Sequence, residues 1–278
     1  MILLQAATQP TAAAPLSGAF DNDHITRLNL ALALFMVAAF VVFLPAWLMD
    51  SRMLDSAQVW TKPQKFHVSL ALHFLTIAVL LQLVPREVRT GPVLGTFSYL
   101  AAIALVVEFA WIGLQAGRAT RSHFNYDTAL EGIMYGLMGL GAFLLMAICM
   151  ALAVQIWRTG DRTRKGLWLG AITGLTLAFV TTNYFGFTMS SSGRYVGAPL
   201  TGGGETVPFF GWSREYGDLR PAHFVSLHLM QTLPAAGWLA DRNGWNVIAV
   251  IGSVAVVQLG LAAALFVLAL SGQPFWPI

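Results

Sequence analysis

Charge is what this sequence has least of. Only 10% of its 278 residues are Asp, Glu, Lys or Arg, where soluble domains carry about a quarter. Hydrophobic residues make up 56% and the mean hydropathy is +0.66, which excludes an ordinary water-soluble globule. The 16 Lys and Arg against 13 Asp and Glu leave a net charge of +3 scattered over short loops. Without a basic patch interleaved with aromatics, nucleic acid is not an expected partner. The lone cysteine, Cys149, lies inside an apolar run and excludes an intrachain disulfide. Residues 1–25 lack a basic n-region, and the first apolar run exceeds a signal h-region, so no cleaved signal is expected.

What the chain does have is long apolar runs. A hydrocarbon core of about 30 Å needs roughly 20 apolar residues per helix. Seven stretches qualify: Leu28–Met49, Phe66–Val84, Val93–Ala116, Ala129–Trp157, Leu167–Phe187, Ala222–Leu239 and Val247–Leu270. The expected fold is therefore all-α, an integral membrane bundle of seven transmembrane helices with the lipid bilayer as its first partner. An N-terminal segment over 1–27 precedes a single domain over 28–278. One connection, over 188–221, is long and rich in Gly and Ser and carries Tyr195, Trp212 and Tyr216, which suits a cover over the bundle mouth. The densest basic cluster is Arg158, Arg162, Arg164 and Lys165. The positive-inside rule puts it in the cytoplasm, giving N-in and C-out and an extracytoplasmic long loop.

Small and soft residues read as packing. Gly132, Gly136, Gly139 and Gly141 in the fourth span have the spacing that lets helices approach closely. Met134, Met138, Met146 and Met150 read as gap fillers in an apolar helix. Trp47, Trp157, Trp168, Trp238, Trp245 and Trp276 lie near span ends and fit an interfacial belt.

Histidine carries the functional signal. Five of the six (His67, His73, His123, His223 and His228) fall near the outer face, while His24 belongs to the N-terminal segment and is expected in solvent. On the second span Lys62, Lys65, Ser69, His73 and Thr76 share an arc of about 80°, and His67 points roughly 120–140° away, as an interfacial residue would. On the third, Glu108, Trp111, Gln115, Arg118 and Ser122 form a second stripe. On the sixth, Arg220, His223, His228 and Gln231 span about 140°, and Pro234 is placed to kink the helix. At 1.5 Å per residue, a deep layer holds His73, His228, Gln231 and Glu108. A shallow layer holds Lys62, Lys65, Arg118, Arg121, His123, Asp127, Arg220 and His223. A continuous third helix would put Glu108 about 20 Å below His123. The bland readings are a hydrogen-bonding histidine, snorkelling Lys and Arg, and Asp218 as a plain helix start. Against them stands the cost of about 2.5–3.5 kcal/mol per charge at mid-membrane, which several groups together offset only by pairing, water or a bound partner.

Three chemistries stay open. His73 and His228 at matched depth are suited to ligate a haem b from opposite faces, with Lys62, Lys65, Arg118 and Arg220 at the propionates and His123, His223 and Gln231 around them. That would make a redox protein exchanging electrons with a redox partner or a quinone. His73, His228 and Glu108 are equally the residue types of a two-histidine, one-carboxylate site for non-haem iron or zinc. Lys, Glu and His lining a cavity also suit a cofactor-free, proton-coupled carrier. Retinal is disfavoured, because Val247–Leu270 contains no lysine.

Three motifs carry a resemblance: Lys62-Pro63-Gln64-Lys65-Phe66, Ser122-His123-Phe124-Asn125 and Asp218-Leu219-Arg220-Pro221-Ala222-His223-Phe224. Over roughly residues 60–235 the chain resembles a bacterial family of multi-pass membrane proteins to which no activity is assigned. The resemblance implies a bacterial origin and no particular chemistry, and with the apolar spans the expected location is the bacterial cytoplasmic (inner) membrane.

Overall fold

The structure, a computed structural model, describes residues 21–55, 57–198 and 204–277. Most of the N-terminal segment, and Gly202 and Gly203 of the long loop, lie outside the described residues. Asp23 starts α1 (His24–Met49) by accepting the backbone N–H groups of Ile25 and Thr26, both at 2.9 Å, as an N-cap should. His24 beside it is exposed, as expected. A small hairpin of β1 (Met53–Leu54) and β2 (Ala57–Gln58) leads to α2 (Thr61–Leu81). After the short α3 (Arg86–Arg89), Pro92 opens α4 (Pro92–Gly117), where its missing N–H costs nothing. Thr128 caps α5 (Ala129–Thr159) through the N–H of Glu131. Then come α6 (Lys165–Ser192), the paired strands β3 (Tyr195–Val196) and β4 (Gly217–Asp218), α7 (Arg220–Leu227), α8 (Leu229–Asn243) and α9 (Val247–Leu270).

Among the described residues six helices, α1, α2, α4, α5, α6 and α9, are long and apolar enough to cross a membrane. They match six of the expected spans to within a few residues at each end. The remaining stretch, expected as one helix over Ala222–Leu239, is two. The break is at His228, whose ψ of −3° departs from the helical value near −42°. Pro234 lies inside α8 without ending it, so the bend comes six residues before the proline. Together α7 and α8 run from the end where α6 finishes to the end where it begins.

Close packing is concentrated between α6 and α8. Gly166, Gly170 and Gly174 follow one another at four-residue spacing, and a Cβ on the first two would collide with the carbonyl oxygens of Gly237 and Leu233. Gly237 faces the Gly166 carbonyl equally closely. Asp241 locks the register, accepting the N–H groups of Gly166 at 2.7 Å and Leu167 at 2.9 Å. The glycines expected to pack, in α5, behave otherwise. Gly136 and Gly139 face open space, Gly132 meets only Tyr126, and Gly141 alone sits against another helix, beside Glu108. The expected close approach is real but belongs to the next helix. Met138 and Met146 are buried in the core as fillers, whereas Met134 and Met150 are only partly covered.

Gly170→Leu is expected to lower the unfolding midpoint in detergent, with a penalty at or above the about 1–3 kcal/mol typical of overpacking, because backbone is the obstacle. Gly136→Leu should leave it unchanged or raised. Thermal melts followed by size-exclusion chromatography check this, and equal stability of the two variants would remove the contact from the account.

Candidate functional site at one end of the bundle

Every element that ends or begins on the α6 exit side brings a polar residue to it. The turns after α1 and α4, the start of α2 and the segment between α6 and α7 meet there. Asp55 pairs with Arg121 at 2.7 Å and Arg194 at 2.9 Å, tying three loops together. Burial would raise the Asp55 carboxyl, but hydrogen bonds and charge from the two arginines outweigh it and hold it below the usual carboxylate range. Asp218, buried, accepts from the backbone N–H of Ser213 and Arg220 and pairs with the Arg220 guanidinium at 2.6 Å. Asp218 thus steadies the start of α7, although the N-cap position falls on Leu219 with no side-chain cap bond, and it also anchors the cover. Arg220 reaches further, donating to the Gly211 carbonyl at 2.6 Å and the Tyr195 hydroxyl at 3.1 Å. Lys65 donates to the Phe210 carbonyl at 2.8 Å. Gly211 has φ +64°, the left-handed region where a side chain is strained, and its open side faces Lys65. Phe210 and Trp212 stack at 4.4 Å, and both press on Phe224 of α7. The segment over 204–219 therefore docks on Lys65 of the first motif and on Arg220 and Phe224 of the third, while Lys62 ties the second motif to the first.

A second set lies between α2, α4 and α5. Lys62 donates to the Ser122 hydroxyl at 2.6 Å, and that hydroxyl lies 3.3 Å from His123 Nδ1. His123 Nε2 stands 3.9 Å from Glu108 Oε2, which is buried and has no hydrogen-bond partner. Burial and the neighbouring Lys62 ammonium hold the His123 imidazole well below its usual pKa, hence neutral. The separation of about 20 Å expected for these two residues is overturned. The helix stops at Gly117, Ala119 turns the chain with φ +53°, and the Ser122-His123 segment folds back onto α4. Trp111 secures it by donating to the Ser122 carbonyl at 3.0 Å. Arg118 stays at the rim, pairing with Gln115 and, at 3.9 Å, with Glu131.

The third set bridges α2 and α8. Gln231 donates to the Thr76 hydroxyl at 3.2 Å, and His228 Nδ1 lies 3.2 Å from Gln231 Oε1. His73 and His228 each precede that bridge by three residues on parallel helices, so they occupy one layer. His73 is 5% exposed and its Nε2 has no partner. His223 faces α6 instead, beside Gly186, with Nδ1 unpartnered. His67 is a correction: far from interfacial, it is 3% exposed, paired with Gln64 at 3.0 Å and packed between Phe43 and Phe109. The angular argument gave its direction properly; α1 and α4 cover that direction.

Glu108 thus has His123 as its histidine, and among the described residues no three His, Cys, Asp or Glu side chains converge as a metal site would require. Asp55 and Arg194 are contributors the sequence reading missed, since loop residues carry no periodicity to reveal them.

The Asp55 latch has a pH dependence of definite sign. Its folded pKa is lowered, so its contribution is present above the ordinary carboxylate value of about 3.9 and is lost as pH falls through the lower folded value. Hydrogen exchange of the 204–219 backbone, corrected for intrinsic rates, should therefore be slow at neutral pH and fast in strong acid, and Asp55→Asn should be fast at both. An Asp55→Asn protein exchanging like the wild type at neutral pH would show that the latch does not hold the cover. No protein-family model, curated protein or solved structure matches the chain, so the site is read from its own geometry.

Proposed function

We propose that the protein is a redox protein of the bacterial inner membrane that holds a haem b between His73 and His228. The observation that carries this reading is the state of the two imidazoles. They share a layer: Gln231 engages His228 at Nδ1, and His73 keeps a buried Nε2 without a partner. An acceptor on Nδ1 fixes the tautomer that leaves Nε2 to bind iron, the usual arrangement around a ligating histidine. The contact of α8 with α2 runs through one long side chain, Gln231, which donates to Thr76 at 3.2 Å, while the backbone of α8 rests on α6 and α9. Lys65 lies about 12 Å along α2 from His73 toward the mouth and donates to a neutral carbonyl, with no ion pair among the described residues. Its charge is thus available to a propionate. Bound haem would supply one-electron chemistry, exchanged with a redox partner or a quinone.

The same proposal takes α7 and α8 as a seventh, discontinuous crossing, supported by Asp218 at one end of the bundle and Asp241 at the other. With Arg158, Arg162, Arg164 and Lys165 in the cytoplasm, the covered mouth faces outward. Cysteines placed in that basic loop of a Cys149→Ala protein should resist impermeant thiol reagents in intact cells, and one at Gly204 should label. The reverse pattern would invert the orientation.

Spectra of the purified protein, oxidised and dithionite-reduced, test the cofactor. A Soret band that sharpens with an α-band on reduction is expected, lost in His73→Ala and in His228→Ala and retained in Glu108→Gln. A colourless protein from haem-replete cells would overturn the reading, and loss of a bound metal on Glu108→Gln would favour the carboxylate site instead.

A further inference from the structure

Glu108 has no task in the reading above, yet it is the most demanding residue in the bundle. It sits nine residues inside the end of α4, roughly 13 Å along the axis, and is 2% exposed. A carboxylate placed there is retained at a cost of several kcal/mol unless it exchanges a proton or finds a partner. What faces it is a series of groups in contact. Lys62 of α2 donates to Ser122, the Ser122 hydroxyl lies against His123 Nδ1, and His123 Nε2 faces Glu108 Oε2 across 3.9 Å. On its other side stands Gly141 of α5, whose missing side chain leaves room for the carboxyl, with Oε1 3.1 Å from where a Cβ would be. The remaining charged and titratable neighbours lie nearer the rim: Glu131 and Tyr135 on α5, Arg118 at the end of α4, and Lys65, Arg194 and Arg220 around Lys62.

We infer that Lys62, Ser122, His123 and Glu108 form a proton-conducting chain from the covered mouth to a carboxylate inside the bundle. The order of donors and acceptors suits transfer inward. The Lys62 ammonium gives a proton to the Ser122 oxygen as Ser122 passes its own to His123 Nδ1. His123 releases its Nε2 proton to Glu108 Oε2, which becomes a neutral carboxylic acid. Lys62 then takes a proton from water at the mouth, and His123, left as its Nδ1–H tautomer, is reset when Nδ1 releases its proton to water and Nε2 takes one up, the ring being partly exposed. One proton leaves water and one arrives on Glu108, with no redox change. The separation of 3.9 Å exceeds a hydrogen bond, so the last transfer waits on a small side-chain movement and makes the chain a gated one.

The test is infrared spectroscopy of the full-length protein in lipid nanodiscs without reductant, so its outcome is separate from that for haem. A protonated carboxyl band that Glu108→Gln abolishes is expected. Its hydrogen–deuterium exchange should slow by about 10²-fold in His123→Gln and in Ser122→Ala, the lower end of what a positioned proton-transfer group contributes, with the band's amplitude unchanged. Ser122→Ala is small enough to decide the matter if His123→Gln does not fold. Exchange at the wild-type rate in Ser122→Ala would overturn the chain, and so would a Glu108 carboxyl that is never protonated.

Discussion

The arrangement of the mouth depends on the backbone contact between α6 and α8. In lipid no hydrophobic force draws helices together, so association relies on close approach and polar contacts. Gly166, Gly170 and Gly174 supply the approach, and Asp241 fixes it by taking two N–H groups from the first turn of α6. A carboxylate at a helix N-terminus also meets the positive end of the dipole. The register matters because one residue of slip turns a helix by about 100°. Such a slip would swing Gln231 off Thr76 and carry His223 away from Gly186. A contact at the far end of the bundle therefore sets which side chains face one another near the mouth.

Charge is handled in two ways at that mouth. Asp218 pairs with Arg220, whose remaining hydrogen bonds are met by a carbonyl and a hydroxyl, and Asp55 is shared between Arg121 and Arg194. Removing one member of such a buried pair strands its partner, which is why such groups are strongly coupled. Lys62 and Lys65 are different, for their partners are a hydroxyl and a carbonyl.

The helices were legible in the sequence because apolar run length is a property of composition, and six of the runs became helices with nearly the expected ends. The inward face of α2 was legible only in part: of the stripe Lys62, Lys65, Ser69, His73 and Thr76 only His73 is buried, and the face turned into the bundle carries Pro63, His67, Leu70, Phe74 and Ile77. What failed was whatever a helical wheel does not contain. It gives His67 a direction but says nothing of the neighbour on that side, here α1 and α4. It assumes a helix continues, so it placed His123 far from Glu108 when Ala119, a residue with no turn signature, reverses the chain. It flagged Pro234 because proline is a recognised breaker, whereas the bend at His228 goes with the approach of Leu229 to Gly174, which no local pattern announces.

The Asp55 latch bears on the order in which the molecule is assembled. Asp55 follows the first long helix, while its partners are 66 and 139 residues further on. During synthesis the acid emerges long before either arginine. Contacts of such sequence separation form late, since the intervening chain must first be placed. Five long helices precede Arg194, so the cover closes only after most of the bundle has been inserted. Until then Lys65 lacks the Phe210 carbonyl and Arg220 the Gly211 carbonyl. These two cations are thereby the last of the set to find their partners.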